Sequence, residues 1–558
     1  MPTTHEVVNQ VPPLGAFDAS EHPLYEETLT RMGASCALAE VREVGLAAGS
    51  EEVQRWGDLV EAHPPALQTH DRFGHRIDRV EYDPSYHQLM ARAIGYRLAG
   101  APWVETRPHA HAIRAVKYSA WYGSDAGHCC PVTMTYAAVP ALRADPGLAR
   151  RWEPGLASTD YDWTIAAPAT KPGLTAGMSM TEKQGGSDVR ANTTAAAPAG
   201  DGTYRLTGHK WFTSAPMSDL LFTLAQARGG LTCFVVPRVL PDGTLNAVRL
   251  QRLKEKLGDR SNASSEIELE GAWGWRLGDE GRGVRTIIEM VNATRLDCTL
   301  ATATLIRLGV LHAAHQVRHR TAFGARLIDQ PLMRNVVGDL AVEAEASLAV
   351  AFFLAGLTDR VAAGDERARL LRRLALAVSK YYVCKRGPQF LAEAMECLGG
   401  NGYIEDSRLP RLYREAPLLS IWEGSGNVAA LDALRAIARE PRTLEVFMDE
   451  LDQARGADAR LDHFLAGLRR HLGDPAGLEY RARIVVGDLA AALQASLLVR
   501  FGHPAVAAAF TASRLSERGS ACGTLPAGLD LSPILERALP ARDREPRSVH
   551  SPGLRAGL

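Results

Sequence analysis

Ten residues, Met180 to Val189, read MTEKQGGSDV. They combine a threonine–acid pair, two adjacent glycines and a serine–aspartate pair. Gly185 and Gly186 permit backbone conformations closed to other residues and let a ligand approach the chain. Ser187 adds a hydroxyl and neighbouring N–H groups, which suit a phosphate. Read alone, the segment is equally a surface turn between strands. Further along stand HKWFTSA (His209–Ala215), RTAFG (Arg320–Gly324), EAMECLGGNGY (Glu393–Tyr403), RLYREA (Arg411–Ala416) and IWEGSGN (Ile421–Asn427). The indole of Trp211 offers a broad apolar face, and the fork of Arg320 matches phosphate oxygens. A Rossmann fingerprint is missing, and so is a P-loop lysine. GDEGRG (Gly278–Gly283) has the wrong spacing and follows a strand run.

In this order and spacing, over roughly residues 100 to 440, the motifs resemble those of the acyl-CoA dehydrogenase flavoproteins. The wording of MTEKQGGSDV and WEGSGN, and a tail beyond the family's usual end, resemble its AidB branch. That branch comprises bacterial flavoproteins linked to the response to DNA alkylation. The resemblance implies FAD held by a β domain and helix termini. Thr181 would hydrogen-bond the isoalloxazine, Ser187 would meet the pyrophosphate, Trp211 would pack on the ring and Thr213 would bond a ring heteroatom. Arg320 and Gln330 would reach the ADP half of a flavin bound mainly by another subunit, with the Gly399–Gly400 backbone against the same half. Met180, Gly186, Ser214, Phe323, Trp422, Ser425 and Asn427 complete the implied cofactor-binding set. Sites shared in this way imply an oligomer, and the expectation is a homotetramer. Without the resemblance, Trp211 reads as a barrel core residue and LGGNGY as a helix C-cap turn.

Acyl-CoA dehydrogenation removes an α proton and a β hydride, so it needs a base in a water-poor site. Glu423 matches the position of the family's base, and its N–H could polarise the thioester oxygen. The alternative position for a base is Thr294, which cannot serve. Arg295 beside it would face Glu423 and bias its ionisation. Read without the family, Glu423 is a helix N-terminal carboxylate. The chain departs from most members by carrying Trp422 for Tyr and Ser425 for Thr, and the larger Trp422 would narrow the acyl pocket.

The elements that must position these groups follow from periodicity. The 558 residues exceed one domain, and 46% hydrophobic content can fill large cores. A net charge of −1 gives no global pull toward nucleic acid or membrane. The eight cysteines form no CxxC pair. With no basic stretch leading into an apolar core at the start, a cytoplasmic protein without disulfides or metal is expected. No transmembrane span is expected. The predicted fold class is α+β, mostly α. It comprises an N-terminal helical domain (1–173), a central antiparallel β barrel (174–283), a C-terminal four-helix bundle (284–440), an additional helical region (441–540) and a flexible tail (541–558). Turns are expected at Asp201-Gly202, Gly229-Gly230 and Asp242-Gly243.

The resemblance also implies double-stranded DNA binding through the additional region. From Arg442 onward there is no lysine, and arginines and acids nearly balance. Phosphate tracking favours a positive excess. Arg469, Arg470, Arg481, Arg483, Arg514 and Arg518 could share one face, or could be solvated helix surface. Three readings follow. The first is an AidB-type flavoprotein that binds duplex DNA, with weak activity on acyl-CoA thioesters. The second is an ordinary short- or branched-chain acyl-CoA dehydrogenase that passes electrons to an electron-transfer flavoprotein. The third is a DNA-shielding protein in which FAD only supports the fold.

Overall fold

The computed structural model describes residues 3–474, 477–516, 519 and 521–544. The first region contains α1 (Pro23–Met32), α2 (Leu38–Ala48), α3 (Glu51–Ala62), α4 (Pro84–Gly95), α5 (Ala110–Tyr122), α6 (Ala126–Leu142) and α7 (Pro146–Leu156). Capping explains many of the starts. Ser50, Asp83, Asp125 and Asp145 each accept a hydrogen bond from a first-turn N–H. A hairpin that the helical reading of this region lacked, β1 (Ala66–His70) with β2 (Arg76–Glu81), interrupts the helices. Asp71 Oδ1 accepts from Phe73 and His75 N–H, and Gly74 takes φ 82° to close the turn.

The sheet comprises β3 (Ala176–Ser179), β4 (Ala195–Gly200), β5 (Thr203–Ser214), β6 (Leu220–Ala227), β7 (Gly230–Pro237), β8 (Val248–Leu253) and β9 (Ser264–Leu277). Its order is β3-β5-β4-β6-β7-β9-β8, and extra β3–β6 and β5–β9 pairings curl it into a barrel-like body. The pairs are antiparallel except that β6 runs parallel to β3 and to the edge of β4. Asp201 (φ 51°) and Gly202 (φ 80°) turn the chain between β4 and β5, as their sequence requires. Inside lie Leu206, Leu221, Phe234, Val236 and Leu250.

The bundle is built from α8 (Gly283–His319), α9 (Pro331–Ala362), α10 (Glu366–Glu396), α11 (Leu409–Ile421) and α12 (Gly426–Arg439). Between α8 and α9, the hairpin β10 (Thr321–Ala322) and β11 (Ala325–Arg326) carries RTAFG. The additional region contains α13 (Arg442–Asp452), α14 (Ala459–Gly473), α15 (Ala482–Phe501), α16 (Pro504–Phe510) and α17 (Ser532–Ala538). It packs onto the bundle, and α15 lies against α9, α10 and α12. Among the described residues, three helices, α8, α9 and α15, are long and apolar enough to cross a membrane. The most apolar windows of these helices are 94%, 83% and 72% buried in this molecule, so that apolarity serves the core.

Buried ion pairs tie the regions together. Arg114 pairs with Asp297, both 1% exposed, linking α5 to α8. The Arg514 guanidinium reaches Asp339 at 2.5 Å and Glu343 at 3.3 Å on α9. Arg386 holds the same Glu343 at 2.7 and 2.9 Å. Arg514 is therefore an internal clamp rather than the DNA contact its sequence position suggested. Arg514→Met is expected to destabilise the protein by about 3–5 kcal/mol, because it strands buried carboxylates. Urea unfolding measures this loss, and a loss below about 1 kcal/mol would contradict the clamp.

Candidate active site

The last turn of α11 leads into Trp422-Glu423-Gly424-Ser425 and then α12. Glu423 takes φ 58° and Gly424 φ 98°. A left-handed glutamate is strained by about 1–3 kcal/mol and persists only where its surroundings hold it. Arg295 Nε on α8 donates to the Glu423 carbonyl at 2.9 Å. Lys380 on α10, 1% exposed, donates to the carbonyls of Gly424 (2.6 Å) and Ser420 (3.2 Å). Asp432 on α12 anchors Arg295 at 2.7 Å and accepts two hydrogen bonds from Arg373. The backbone of the turn is thus fixed by two cations, and the side chain is left out of that network. Glu423 Oε2 is buried without a hydrogen-bond partner among the described residues.

Burial pushes the Glu423 carboxyl above its ordinary range. The Thr294 hydroxyl and the charges of Arg295 and Lys380 pull it back without cancelling the effect. Arg295 was expected to face Glu423 and bias its ionisation; its charge does so, while its hydrogen bond goes to the backbone carbonyl. Lys380, Asp432 and Arg373 were not found from the sequence. A lysine inside the apolar run ALAVSKYYV was the one available signal, since a buried ammonium must find acceptors.

β3 and β5 bring the first two motifs together. Met178 pairs with Ser214, and Trp211 N–H donates to the Thr181 carbonyl at 2.8 Å. Met180, Thr181 and Ser214 are half-buried, and Gly186 and Ser187 are exposed on the following turn. Gly185 at φ 129° makes that turn, and a Cβ on Gly186 would lie 2.5 Å from Thr181 Oγ1. Glu182 belongs to the scaffold. Its carboxylate receives Lys210 Nζ at 2.8 Å and the N–H groups of Thr193 and Thr194, with both charged side chains fully buried.

Three of the implied flavin-binding side chains also have partners within the chain. Trp211 is half-buried, with Lys254 Nζ 3.4 Å from its ring centroid, a cation–π contact. Thr213 is fully buried and its hydroxyl is hydrogen-bonded with that of Ser179. Arg320 Nη1 donates to the Asn9 carbonyl at 2.6 Å. In the same hairpin Phe323 takes φ 53° and is 99% exposed at the tip, and Gln330 Nε2 bonds the Ala322 carbonyl.

Gly399 (φ 60°) and Gly400 open a short 3-10 turn after α10, as the C-cap reading requires, and a Cβ on either would meet open space. Trp422 is half-buried between two core clusters, and Ser425 and Asn427 are exposed. Arg483 Nε on α15 donates to Asn427 Oδ1 at 2.8 Å, so this residue, expected to contact DNA, lies against the IWEGSGN motif. Arg469 pairs with Asp452 at 2.5 Å and Arg481 with Asp474 at 3.3 Å, while Arg470 is exposed. Arg518 lies outside the described residues. The five described arginines do not form one exposed face, since Arg514 is buried against α9.

Residues 9–163 match the family model "Adaptive response protein AidB N-terminal domain". Residues 177–272 and 281–438 match the middle and C-terminal domains of acyl-CoA dehydrogenase. The AidB protein of Escherichia coli K12 is 42% identical over 520 residues, covering 92% of this chain and 95% of its own length. Acyl-CoA dehydrogenase family member 11 of Caenorhabditis elegans is 32% identical, covering 78% of this chain and 73% of its own. The solved structure of C. elegans ACDH-11 in complex with C11-CoA superposes with TM-score 0.83 at 27% identity, covering 92% of each chain. An acyl-CoA dehydrogenase of Bacillus anthracis complexed with FAD shares the fold, with TM-score 0.63 at 17% identity over 88% of this chain and 81% of that one. On the strength of these matches along nearly its whole length, the chain belongs to the acyl-CoA dehydrogenase family, in its AidB branch.

Proposed function

We infer that the protein is an FAD-dependent oxidoreductase that abstracts the α proton of an acyl-CoA thioester with Glu423. The observation that carries this reading is the buried, unpartnered Oε2 of Glu423 in a left-handed turn held by Arg295 and Lys380. The residues fit the cofactor. The Met180–Ser187 turn, the Trp211–Ser214 end of β5 and the exposed Phe323 offer polar, planar and backbone groups of the kind a flavin nucleotide needs. FAD, when bound, accepts the hydride from the β carbon. The chain's own part is to hold the acyl group, exclude water and take the α proton on the Glu423 carboxylate. Burial raises the basicity of that carboxylate. The two carbonyl contacts keep the turn from relaxing as its charge changes.

A thioester with a long-chain acyl group is a reasonable probe, since the C. elegans relative is seen with C11-CoA. An electron-transfer flavoprotein is the natural acceptor class to test. A homotetramer in the cytoplasm would let Gly399, Gly400 and Phe323 of one subunit meet the cofactor of another. The purified protein is expected to be yellow with one FAD per protomer. A folded, colourless oligomer that cannot be reconstituted with FAD would remove the basis of this reading.

The AidB likeness supports duplex DNA as a second ligand. Among the arginines expected to contact it, Arg469, Arg470 and Arg481 lie on the additional region, and Arg469 and Arg481 already face acids. Binding would be sequence-independent and steeply salt-sensitive. Replacing all three by Ala should lower affinity and reduce the slope of log K against log salt by about 0.9 per lost phosphate contact. A gel-shift series at rising salt checks this, with assembly confirmed for both proteins. Equal retention by parent and variant would move the DNA site elsewhere.

A further inference from the structure

Near the C-terminal end of α8, two histidines one turn apart face one carboxylate. His315 Nδ1 lies 2.8 Å from Asp543 Oδ2, and His319 Nε2 lies 3.0 Å from Asp543 Oδ1. The other nitrogen of His315, Nε2, lies 3.1 Å from the Pro12 carbonyl. A carbonyl only accepts, so His315 Nε2 carries the proton, and in the neutral ring Nδ1 then presents a lone pair to a carboxylate oxygen. Lone pair against anion is repulsive unless something positive lies between them. His319 Nε2 faces the second oxygen of the same carboxylate.

A ring nitrogen bonded to a backbone carbonyl, with the opposite nitrogen aimed at further donors, is the pattern by which proteins orient a metal-ligating histidine. The three ligand atoms lie within 4.8 Å of one another. Around a tetrahedral zinc ion, neighbouring ligand atoms stand roughly 3.3 Å apart, so small side-chain movements suffice. His315 and Asp543 are buried, while the His319 side chain is 46% exposed and leaves an entry path and a place for water as fourth ligand. Arg542 Nε, 4.0 Å from Asp543 Oδ1, is half-exposed and can turn to solvent.

We propose that His315, His319 and Asp543 bind one divalent transition cation of zinc type, with two nitrogen donors and one carboxylate oxygen. No metal was expected from the sequence, in which residue 543 cannot be placed beside residue 315. Of the expected flexible tail (541–558), Ala541–Asp543 form a turn held against α8, and residues 545–558 lie outside the described residues. A cation here would staple the N-terminal segment at Pro12 and the C-terminal segment at Asp543 to α8, immediately before the RTAFG hairpin.

The test uses tag-free, FAD-loaded full-length protein. It is incubated with zinc, dialysed against metal-free buffer and assayed for retained metal, with cobalt(II) absorption as the coordination readout. The parent should retain one zinc per protomer and show the visible bands of a nitrogen–oxygen cobalt site. His319→Ala should retain at least tenfold less metal, with FAD content unchanged. Chelation should lower the parent's melting temperature and leave that of His319→Ala where it was. If His319→Ala fails to assemble, Asp543→Asn, which keeps the side-chain size, carries the comparison. Metal retention by the parent no greater than by these variants overturns the proposal.

Discussion

Replacing Glu423 by Gln is expected to slow flavin reduction by an acyl-CoA thioester at least about a hundredfold, with FAD still bound. The amide has the size of the carboxylate but cannot take the α proton. The backbone contacts of Arg295 and Lys380 with the turn do not involve the Glu423 side chain, so the turn should survive. The parent should also show a pH dependence of known sign. A base must be ionised to act, and burial raises this carboxyl. The rate should therefore climb with pH through a midpoint above the ordinary carboxylate range. Anaerobic stopped-flow absorbance on both proteins provides the comparison. Equal bleaching rates would remove Glu423 from the reaction.

Lys210→Met is expected to cost about 3–5 kcal/mol, because it leaves the Glu182 carboxylate buried without its counter-ion. Burial alone would raise that carboxyl. The hydrogen bonds from Lys210, Thr194 and Thr193 outweigh it and hold the group at about 2. Because the folded value lies below the unfolded one, the pair contributes stability above about pH 4.5. That contribution is lost as pH falls from there toward about 2. The variant should lose this acid-dependent component along with its stability near neutrality. Flavin retention should fall too, because Glu182 adjoins Thr181, whose carbonyl accepts from the Trp211 N–H. Restoring part of the loss with Glu182→Gln in the same chain would identify the stranded charge as the cause. Urea unfolding at several pH values makes the measurement, and a loss below about 1 kcal/mol would contradict the account.

The sequence was most legible where local rules govern. Asp201-Gly202 reads as a turn because it needs two left-handed residues, and both are left-handed here. The helix–sheet–helix order followed from the change of period at Leu174 and again after Gly283. The β1–β2 hairpin escaped because Ala66–His70 is short and poor in strand-forming residues, and its turn uses an aspartate side chain rather than a glycine pair. Long-range electrostatics were not legible at all. Arg514 looks like a solvated cation until Asp339 and Glu343 on α9 are seen against it. Arg483 likewise reads as a surface charge until α15 brings it to Asn427. The candidate base could be picked out from its motif, but the groups that fix its turn come from α8, α10 and α12, whose mutual packing no local pattern encodes.

The most direct test of Glu423 as the base that takes the α proton follows that proton itself. The FAD-loaded parent and its Glu423→Gln variant would each be mixed with a saturated acyl-CoA thioester in deuterated buffer without electron acceptor, and proton NMR would report exchange at the α carbon. The parent should incorporate deuterium at the α carbon, and the variant should exchange at least about a hundredfold more slowly. Equal α-carbon exchange in both proteins, or none in a parent that binds the thioester with its flavin in place, would contradict the assignment.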